Sequence, residues 1–403
     1  VKPLDGIRII EMTSWMAAPS AGAIMADLGA EVIKVEPPRG DPLRGISRQP
    51  KVPEGQPTID AAFNVDNRGK RSITIAVDRA EGAEVVKRLI AGADVVLTNL
   101  LAHRQARYGL DPDSLREVNP RLVHATLTGY GVDGPEATRP GYDVTAFFGR
   151  GGVTGTLVPP GGSPPRAPTA QGDHTTGIAM VASILAALRL VEATGEMQVV
   201  DVSLLGTALW SMATDIAPSL IDRRPLRARY RHQELNPMVN RYPCADDGWI
   251  LVNMPEGRYW PVFCEAIGEP DWGADPDFDT PKKRYDRMEE IVDRIDAITR
   301  TRTANEWGQI FDRAGVIWGP IQSIPEVVDD PQARAMGMFV EQAYPDGRGT
   351  FDTVAVPIRI RGADIGPQGT APELGADTDA VLGDLGLSAA EIEGLRSEGI
   401  IGS

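Results

Sequence analysis

Over the first 130 residues the apolar positions switch repeatedly between unbroken β-type runs and helical spacing. "IRIIEM" (7–12) reads as a buried strand, and "APSAGAIMADLGA" (18–30) as a helix opened by Pro19 and closed by Gly29. Strands follow over "EVIKVE" (31–36), "SITIAV" (72–77), "DVVLTN" (94–99) and "LVHATLTG" (122–129), with helices over 80–93 and 111–119 between them. Alternating strand and helix predicts an α/β fold: a parallel sheet joined by right-handed crossovers, covered on both faces, with ligands at the C-terminal strand ends.

Further along, "IAMVASILAALRLVEATG" (178–195) is about five helical turns of mostly apolar residues, stopped by Gly195. The pattern changes near residue 222. An arginine-rich stretch, 223–231, leads to a strand over "GWILVNM" (248–254) and to helices over 257–268, 284–300 and 303–315. The last of these carries a capping-box spacing, Thr303 to Glu306. Strand-like segments "MFVEQAYP" and "TVAVPIRI" and a short helix over "SAAEIEGLRSEG" close the chain. The expected division is a large domain over 1–221, a smaller α+β domain over 222–330, and a segment 331–403 that returns to the large domain.

Composition narrows the partners. With 41 basic and 56 acidic residues the net charge is −15, which disfavours nucleic acid or an anionic membrane as a main partner. The longest apolar run, 178–188, is shorter than the roughly 20 residues of a membrane span. Two cysteines make no disulfide framework, and four scattered histidines show no metal-ligand spacing. A reducing cytoplasm is the expected location. Local basic clusters, "NRGKRS" (67–72) and Arg104 with Arg107, suit a small ligand carrying several negative charges.

The turn after the first strand, "TSWMAAPS", contains no glycine, so it lacks the G-x-G-x-x-G that brings a dinucleotide pyrophosphate close to backbone. In "QGDHTTG" (171–177), Asp173 stands just ahead of the long apolar helix. Its surroundings alone favour a helix cap, worth about 1 kcal/mol; a carboxylate nucleophile is the other reading. An aspartate of ordinary pKa, about 3.9, is ionised at neutral pH and attacks without a general base.

Ordered motifs settle on a resemblance. "LDGIRIIEMTSWMAAPSAGAIMADLGAEVIKVEPPRGDPLRG", "NRGKRSITIAVD", "TNLLAHRQARYGLD", "LTGYGVDGP", "PGYDVTAF" and "GDHTTGIAMVASILAALRLVEATGEMQVVDVSL" resemble the class III CoA-transferases nearly end to end. The resemblance implies a Rossmann-like large domain built from both ends of the chain, a smaller domain, and two protomers interlocked as a homodimer. It implies acyl-CoA as donor substrate and a carboxylate as acceptor, with no metal. It places CoA contacts on Trp15, Met16, Ala17, Lys70, Arg71, Asn99, Leu100 and Arg107. Arg39 stands in for an arginine that some members carry at the position of Pro37. The family nucleophile falls on Asp173, which would pass through an aspartyl anhydride and an aspartyl-CoA thioester.

Within the same superfamily the α-methylacyl-CoA racemases pair this aspartate with a histidine in a "GHD" motif. Here the motif reads Gly141, Tyr142, Asp143, and a tyrosine of pKa about 10 is a poor base near neutrality, which favours transfer. A non-catalytic CoA-binding protein is the third reading. The glycine-rich loop of formyl-CoA transferases has no counterpart in "RYRHQELNPMVNRYPCADDGW", so residues 236–238 and Tyr242 are expected to line the acceptor pocket. His174 is expected to pack or face solvent. Trp15, Met16 and the aromatic "RYW" at 258–260 suggest larger or apolar acyl groups.

Overall fold

The computed structural model describes residues 1–46, 51–52, 54–55, 57–159, 161–223 and 228–402, so part of the arginine-rich stretch 223–231 lies outside the described residues. The chain divides into two compact units, one of 1–154, 166–225 and 332–403, the other of 155–165 and 226–331.

The first unit is built on β1 (Arg8–Met12), β2 (Glu31–Glu36), β3 (Arg71–Thr74), β4 (Val95–Thr98), β5 (Val123–Thr128) and β6 (Gln198–Ser203). All pairings are parallel and the order is β3-β2-β1-β4-β5-β6, a Rossmann-like sheet. Strands β4 and β5 are buried at every position, which is why they read as continuous apolar runs rather than alternating ones. Crossover helices α1 (Ala17–Asp27), α2 (Ala61–Asn67), α3 (Ala80–Ile90), α4 (Ala102–Tyr108) and α5 (Pro112–Val118) precede a π-helical turn, Val144–Arg150. A short α6 (Val153–Leu157) and the long α7 (Gln171–Thr194) follow.

Each face of the sheet has its own core. On one, Ala18, Ala21 and Met25 of α1 pack with Met180, Ile184 and Val191 of α7. On the other, α3 and α5 pack with Val381, Leu382, Ile392 and Ile401 from the end of the chain. Main-chain bonds tie that end to the sheet: the Ala76 amide donates to Ile400 O (2.7 Å) and the Asp377 amide to Ser72 O (2.9 Å).

Helix α7 corrects an expectation. Counting only the unbroken apolar run made it too short for a membrane, but its 24 residues and mean hydropathy of 1.7 are enough to cross one. Residues 171–177, with Gly172, Thr175, Thr176 and Gly177, and residues 189–194 extend the helix beyond the run, and its inner face lies against α1 within a core.

The second unit holds an antiparallel sheet of β7 (Val239–Pro243), β8 (Trp249–Asn253) and β9 (Trp318–Pro320). Its aromatic core includes Trp260, Phe263, Trp272, Phe278 and Phe311. The capping box at Thr303 and Glu306 forms as its spacing predicts. The single helix expected over 284–300 is broken at Arg287 into Pro281–Asp286 and Met288–Thr299, with Arg284 turned into the core.

Two expectations for this unit fail. Tyr242 is fully buried, its hydroxyl donating to Pro237 O (2.6 Å), and Met238 is buried beside it, so neither faces a pocket. Trp260 is likewise core and carries no information about acyl groups. In the first unit the strand expected over 353–360 is Thr350–Val354, paired with Phe339–Ala343. The hairpin closes where the Tyr344 amide donates to Gly349 O, and Pro357 has no amide to extend the ladder.

Candidate active site

The strand order reverses between β1 and β4, so the loops that leave them diverge and open a crevice at their C-terminal ends. Asn99 latches the two loops together: its Oδ1 accepts from the Ser14 amide (3.1 Å) and its Nδ2 donates to Ser14 O (2.8 Å). The next residue, Trp15, sits at φ 70°, a left-handed conformation that costs a side-chain-bearing residue about 1–2 kcal/mol. Asp41 holds it there, with Oδ1 accepting from the Trp15 amide (3.2 Å). The turn that lacks a glycine is thus made by a tryptophan. Its ring meets Tyr142 edge-on, centroids 5.5 Å apart at 87°. Two candidates 127 positions apart in sequence are therefore neighbours, and Tyr142 is exposed (54%).

The basic candidates separate. Lys70 is fully buried: its Nζ donates to Glu11 Oε1 (2.9 Å), Pro19 O (2.9 Å) and Asn67 Oδ1 (3.1 Å). All three protons are committed, so the expectation that it grips a CoA phosphate is corrected. Arg71 is engaged with Glu31 (3.0 Å), Asp377 (3.7 Å) and Asp384 (3.5 Å). Arg39 and Arg107 are exposed, Met16 and Leu100 half-buried, and Ala17 is the buried first residue of α1. Arg107 lines a cavity of about 520 Å³ together with Arg79 and Lys87, two basic residues that sequence reasoning passed over.

Asp173 does not cap α7. The cap position is Ala170, in the left-handed region, with no side-chain bond to the helix amides; Asp173 lies inside the first turn. Its company is unusual. Gly172 stands where a Cβ would come within 2.2 Å of Asp143 Oδ1 and 2.4 Å of Phe147 Cγ, so only glycine lets the Asp143 carboxyl approach this turn. That carboxyl is buried and faces the Gly172 and Asp173 amides without a well-formed hydrogen bond to either. Burial raises the Asp143 pKa.

Behind α7, the wholly buried Asp66 of α2 accepts from or shares a proton with His174 Nε2 at 3.0 Å. Burial, then the charges of Asp143 and Asp66, push Asp173 up to about 7, with His174 pulling the other way. The expectation of an ordinary, fully ionised aspartate is therefore corrected: at neutral pH it is poised between its two forms. Asp66 was not singled out from sequence. The available signal was Asn64, Asp66 and Asn67, three polar side chains on what becomes the buried face of α2.

Among the described residues no set of three His, Cys, Asp or Glu side chains converges as metal ligands. A cavity of about 740 Å³ is lined by residues of 335–366 and touches none of the candidates. A smaller one of about 270 Å³, mostly apolar, has Asp66 and His174 in its wall. That one matters more, because it adjoins the ionisable cluster.

Residues 4–378 match the model of CoA-transferase family III. The chain is 33% identical over 397 residues to the cinnamoyl-CoA:phenyllactate CoA-transferase of Clostridium sporogenes, covering 98% of this chain and 96% of that protein. It is 34% identical over 388 residues to the succinate–glutarate CoA-transferase of Agrobacterium fabrum, covering 95% and 96%. A solved CAIB/BAIF family protein from Brucella suis superposes with a TM-score of 0.84 at 30% identity, over 95% of this chain and 99% of that one.

Proposed function

This chain belongs to CoA-transferase family III, and from that premise we propose that it moves CoA between carboxylic acids through covalent intermediates on Asp173. The observation that carries the reading is the Asp173 carboxyl, inside the first turn of α7 with no capping bond to occupy its lone pairs. A carboxylate tied to helix amides is a weak nucleophile; this one is not so tied.

Ionised Asp173 attacks the thioester carbonyl of the donor, the C–S bond breaks, and CoA leaves as thiolate from a mixed anhydride. The thiolate then attacks the aspartyl carbonyl and expels the donor acid as carboxylate, leaving CoA on Asp173. The acceptor carboxylate attacks that thioester and the two steps run backwards, releasing acyl-CoA and free Asp173. Charge is conserved at each step and no proton is consumed.

The crevice at the β1/β4 reversal suits CoA: Trp15, Met16 and Ala17 on one side, Asn99 and Leu100 on the other, with the exposed Arg107 of α4 suited to a phosphate group. Lys70 instead ties Glu11 to Pro19 at the start of α1, and Arg71, at the opposite end of the sheet, pairs with Glu31. The exposed edge of Tyr142 against Trp15 favours acids with an apolar or aromatic body.

The test incubates the protein with cinnamoyl-CoA, succinyl-CoA and branched acyl-CoAs, adds hydroxylamine, and maps adducts by mass spectrometry. A hydroxamate at Asp173 is the expected result. Solvent exchange of the α-proton without an adduct would instead mark a racemase, and no adduct with any donor would sink the covalent mechanism.

A homodimer is the second part of the reading. Ile178, Leu185 and Leu190 on the outer face of α7 are exposed, as are Val199 of β6, Trp210 (82%), Leu220 and Ile221 (88%). So much exposed apolar surface on one unit calls for a cover, and a second copy supplies it. Sedimentation at micromolar protein is expected to give twice the chain mass, and Trp210→Glu to shift the mass toward the single chain.

A further inference from the structure

Asp66 and His174 are not needed by the transfer chemistry above, yet they make a side-chain contact beside the nucleophile in which one partner is wholly buried. Asp66 is wholly buried, and its Oδ1 meets His174 Nε2 at 3.0 Å; Oδ2 has no hydrogen-bond partner among the described residues. The histidine side chain keeps 44% of its surface exposed, in the wall of the 270 Å³ cavity, so it can exchange protons with solvent while its inner nitrogen is held. It directly follows Asp173 on the same helix turn.

We propose that Asp66 and His174 form a positioning pair for the nucleophile: the buried carboxylate favours the protonated, positively charged imidazole beside Asp173, offsetting the anionic neighbours on its other sides. The proposal rests on Asp173 being the nucleophile.

The charges around His174 can be followed element by element. From α2 and its end come Asp66 and Arg68, the latter already committed to Asp27 (2.7 Å) and to Val354 O (2.7 Å). From the π-helical turn comes Asp143, and from α7 itself Asp173. Behind Asp66 stand Lys70 and Lys34, whose charges favour its anionic form. Three carboxylates thus face one imidazole. Its bond to Asp66 is the largest influence and raises the histidine pKa, against the opposing effect of burial. Burial raises the Asp66 pKa as well, but the proton resides on His174, because that group reaches solvent and both lysines oppose protonation of Asp66.

Without the imidazolium, Asp173 would face Asp143 and Asp66 unopposed and would hold its proton to higher pH. An attack that needs the ionised form would then fail across the neutral range. A merely structural contact would lower activity equally at every pH.

Ring-¹³C histidine labelling of the whole protein gives four resonances to assign, one removed by His174→Gln. His174 is expected to titrate above the usual histidine range and to drop when Asp66→Asn is introduced; an ordinary value unchanged in that variant overturns the pairing. This readout needs no substrate. With a donor that forms the hydroxamate, His174→Gln is expected to move the acid limb of kcat/KM to higher pH, giving about a tenfold loss per unit of displacement below it and recovery above it. His174→Lys, which keeps a cation, is expected to restore most of the wild-type profile. A pH-independent loss with no rescue by lysine would refute the positioning role. If Asp173→Ala still turned over, the nucleophile reading would fail by itself, and the histidine titration would still judge the pair.

Discussion

Asp173→Asn is expected to lower CoA transfer by roughly 10⁴-fold or more while making the folded protein more stable above neutral pH. The loss of activity follows from removing the attacking oxygen's charge. The gain in stability follows from the cluster around it. Asp173 is raised from 3.8 to about 7 by burial and by Asp143 and Asp66, so between those values the native state binds a proton that the unfolded chain has released. Stability falls with pH wherever the native state holds more protons. The penalty is therefore absent below about pH 4, grows through the window and is complete above about 7. Partial exposure of the group discounts it to on the order of 1–3 kcal/mol. Thermal melts of both proteins at pH 5 and pH 8 check this: the variant should gain at pH 8 and differ little at pH 5. Equal melting curves at pH 8 would mean that Asp173 is better solvated than its neighbours suggest.

The same shift sets the rate profile. A nucleophile that must ionise with a pKa of about 7 gives kcat/KM that falls about tenfold per unit below that pH. An aspartate of ordinary pKa would leave the profile flat down to about pH 5.

What was legible in sequence was whatever depends on periodicity. The runs that became β4 and β5 are largely apolar because both faces of the sheet are covered, and β1 and β2 keep enough Ile and Val around the buried Glu11, Lys34 and Glu36 to read as strands. Strand β6 was harder: it is an edge strand whose residues alternate between half-buried and exposed through "QVVDV", with no continuous run to mark it. Helix α2 was missed because its buried face is partly polar, Asn64, Asp66 and Asn67, where a helix is ordinarily recognised by apolar spacing.

Asp173 was legible as the proposed nucleophile only through ordered motifs, and its environment was not legible at all. The pKa of Asp173 is raised first by burial, then by Asp143, 30 positions away, and by Asp66, 107 positions away. Nothing local to "QGDHTTG" records either one. Lys70 shows the opposite failure. A lysine in "GKRS" looks like a phosphate ligand because exposed lysines commonly are, but here the side chain points into the sheet to neutralise Glu11. The charge of a residue is written in the sequence; the direction in which it points is not.

Glu11→Gln is expected to be among the most destabilising single substitutions in the protein, about 3–5 kcal/mol at neutral pH. Glu11 is an acidic residue in the middle of a buried sheet, with no exposed surface. It stands between two buried ammonium groups, Lys70 at 2.8 Å and Lys34 at 3.3 Å, and accepts from Thr13 Oγ1 at 2.7 Å. Gly22 exists to admit it: a Cβ there would lie 1.9 Å from Glu11 Oε2. Lys34 has a second ion-pair partner in Asp41 at 3.0 Å, whereas among the described residues Lys70 pairs directly with Glu11 and beyond it feels the charge of Asp66. Already in the native protein, burial and the repulsion of Lys34 bring Lys70 down to about 8. With glutamine at position 11 that lysine keeps the neutral oxygens of Pro19 and Asn67 and the charge of Asp66 but loses its direct counter-ion and still faces Lys34, so it sheds its proton at still lower pH. Lysine deprotonates as pH rises, so the variant's deficit should be largest in acid and shrink toward pH 9, the sign opposite to acid-stabilised Asp173. Adding Lys70→Met should return part of the loss, because the pair couples through one contact. Chemical denaturation of the two single variants and the double variant at pH 6 and pH 9 measures all of this. The consequence reaches the site through a chain of four groups: Glu11 to Lys34, Lys34 to Asp41, and Asp41 to the strained Trp15 amide. If Glu11→Gln left stability unchanged and raised only the KM for acyl-CoA, the network would be part of the binding surface and Lys70 would be a ligand after all.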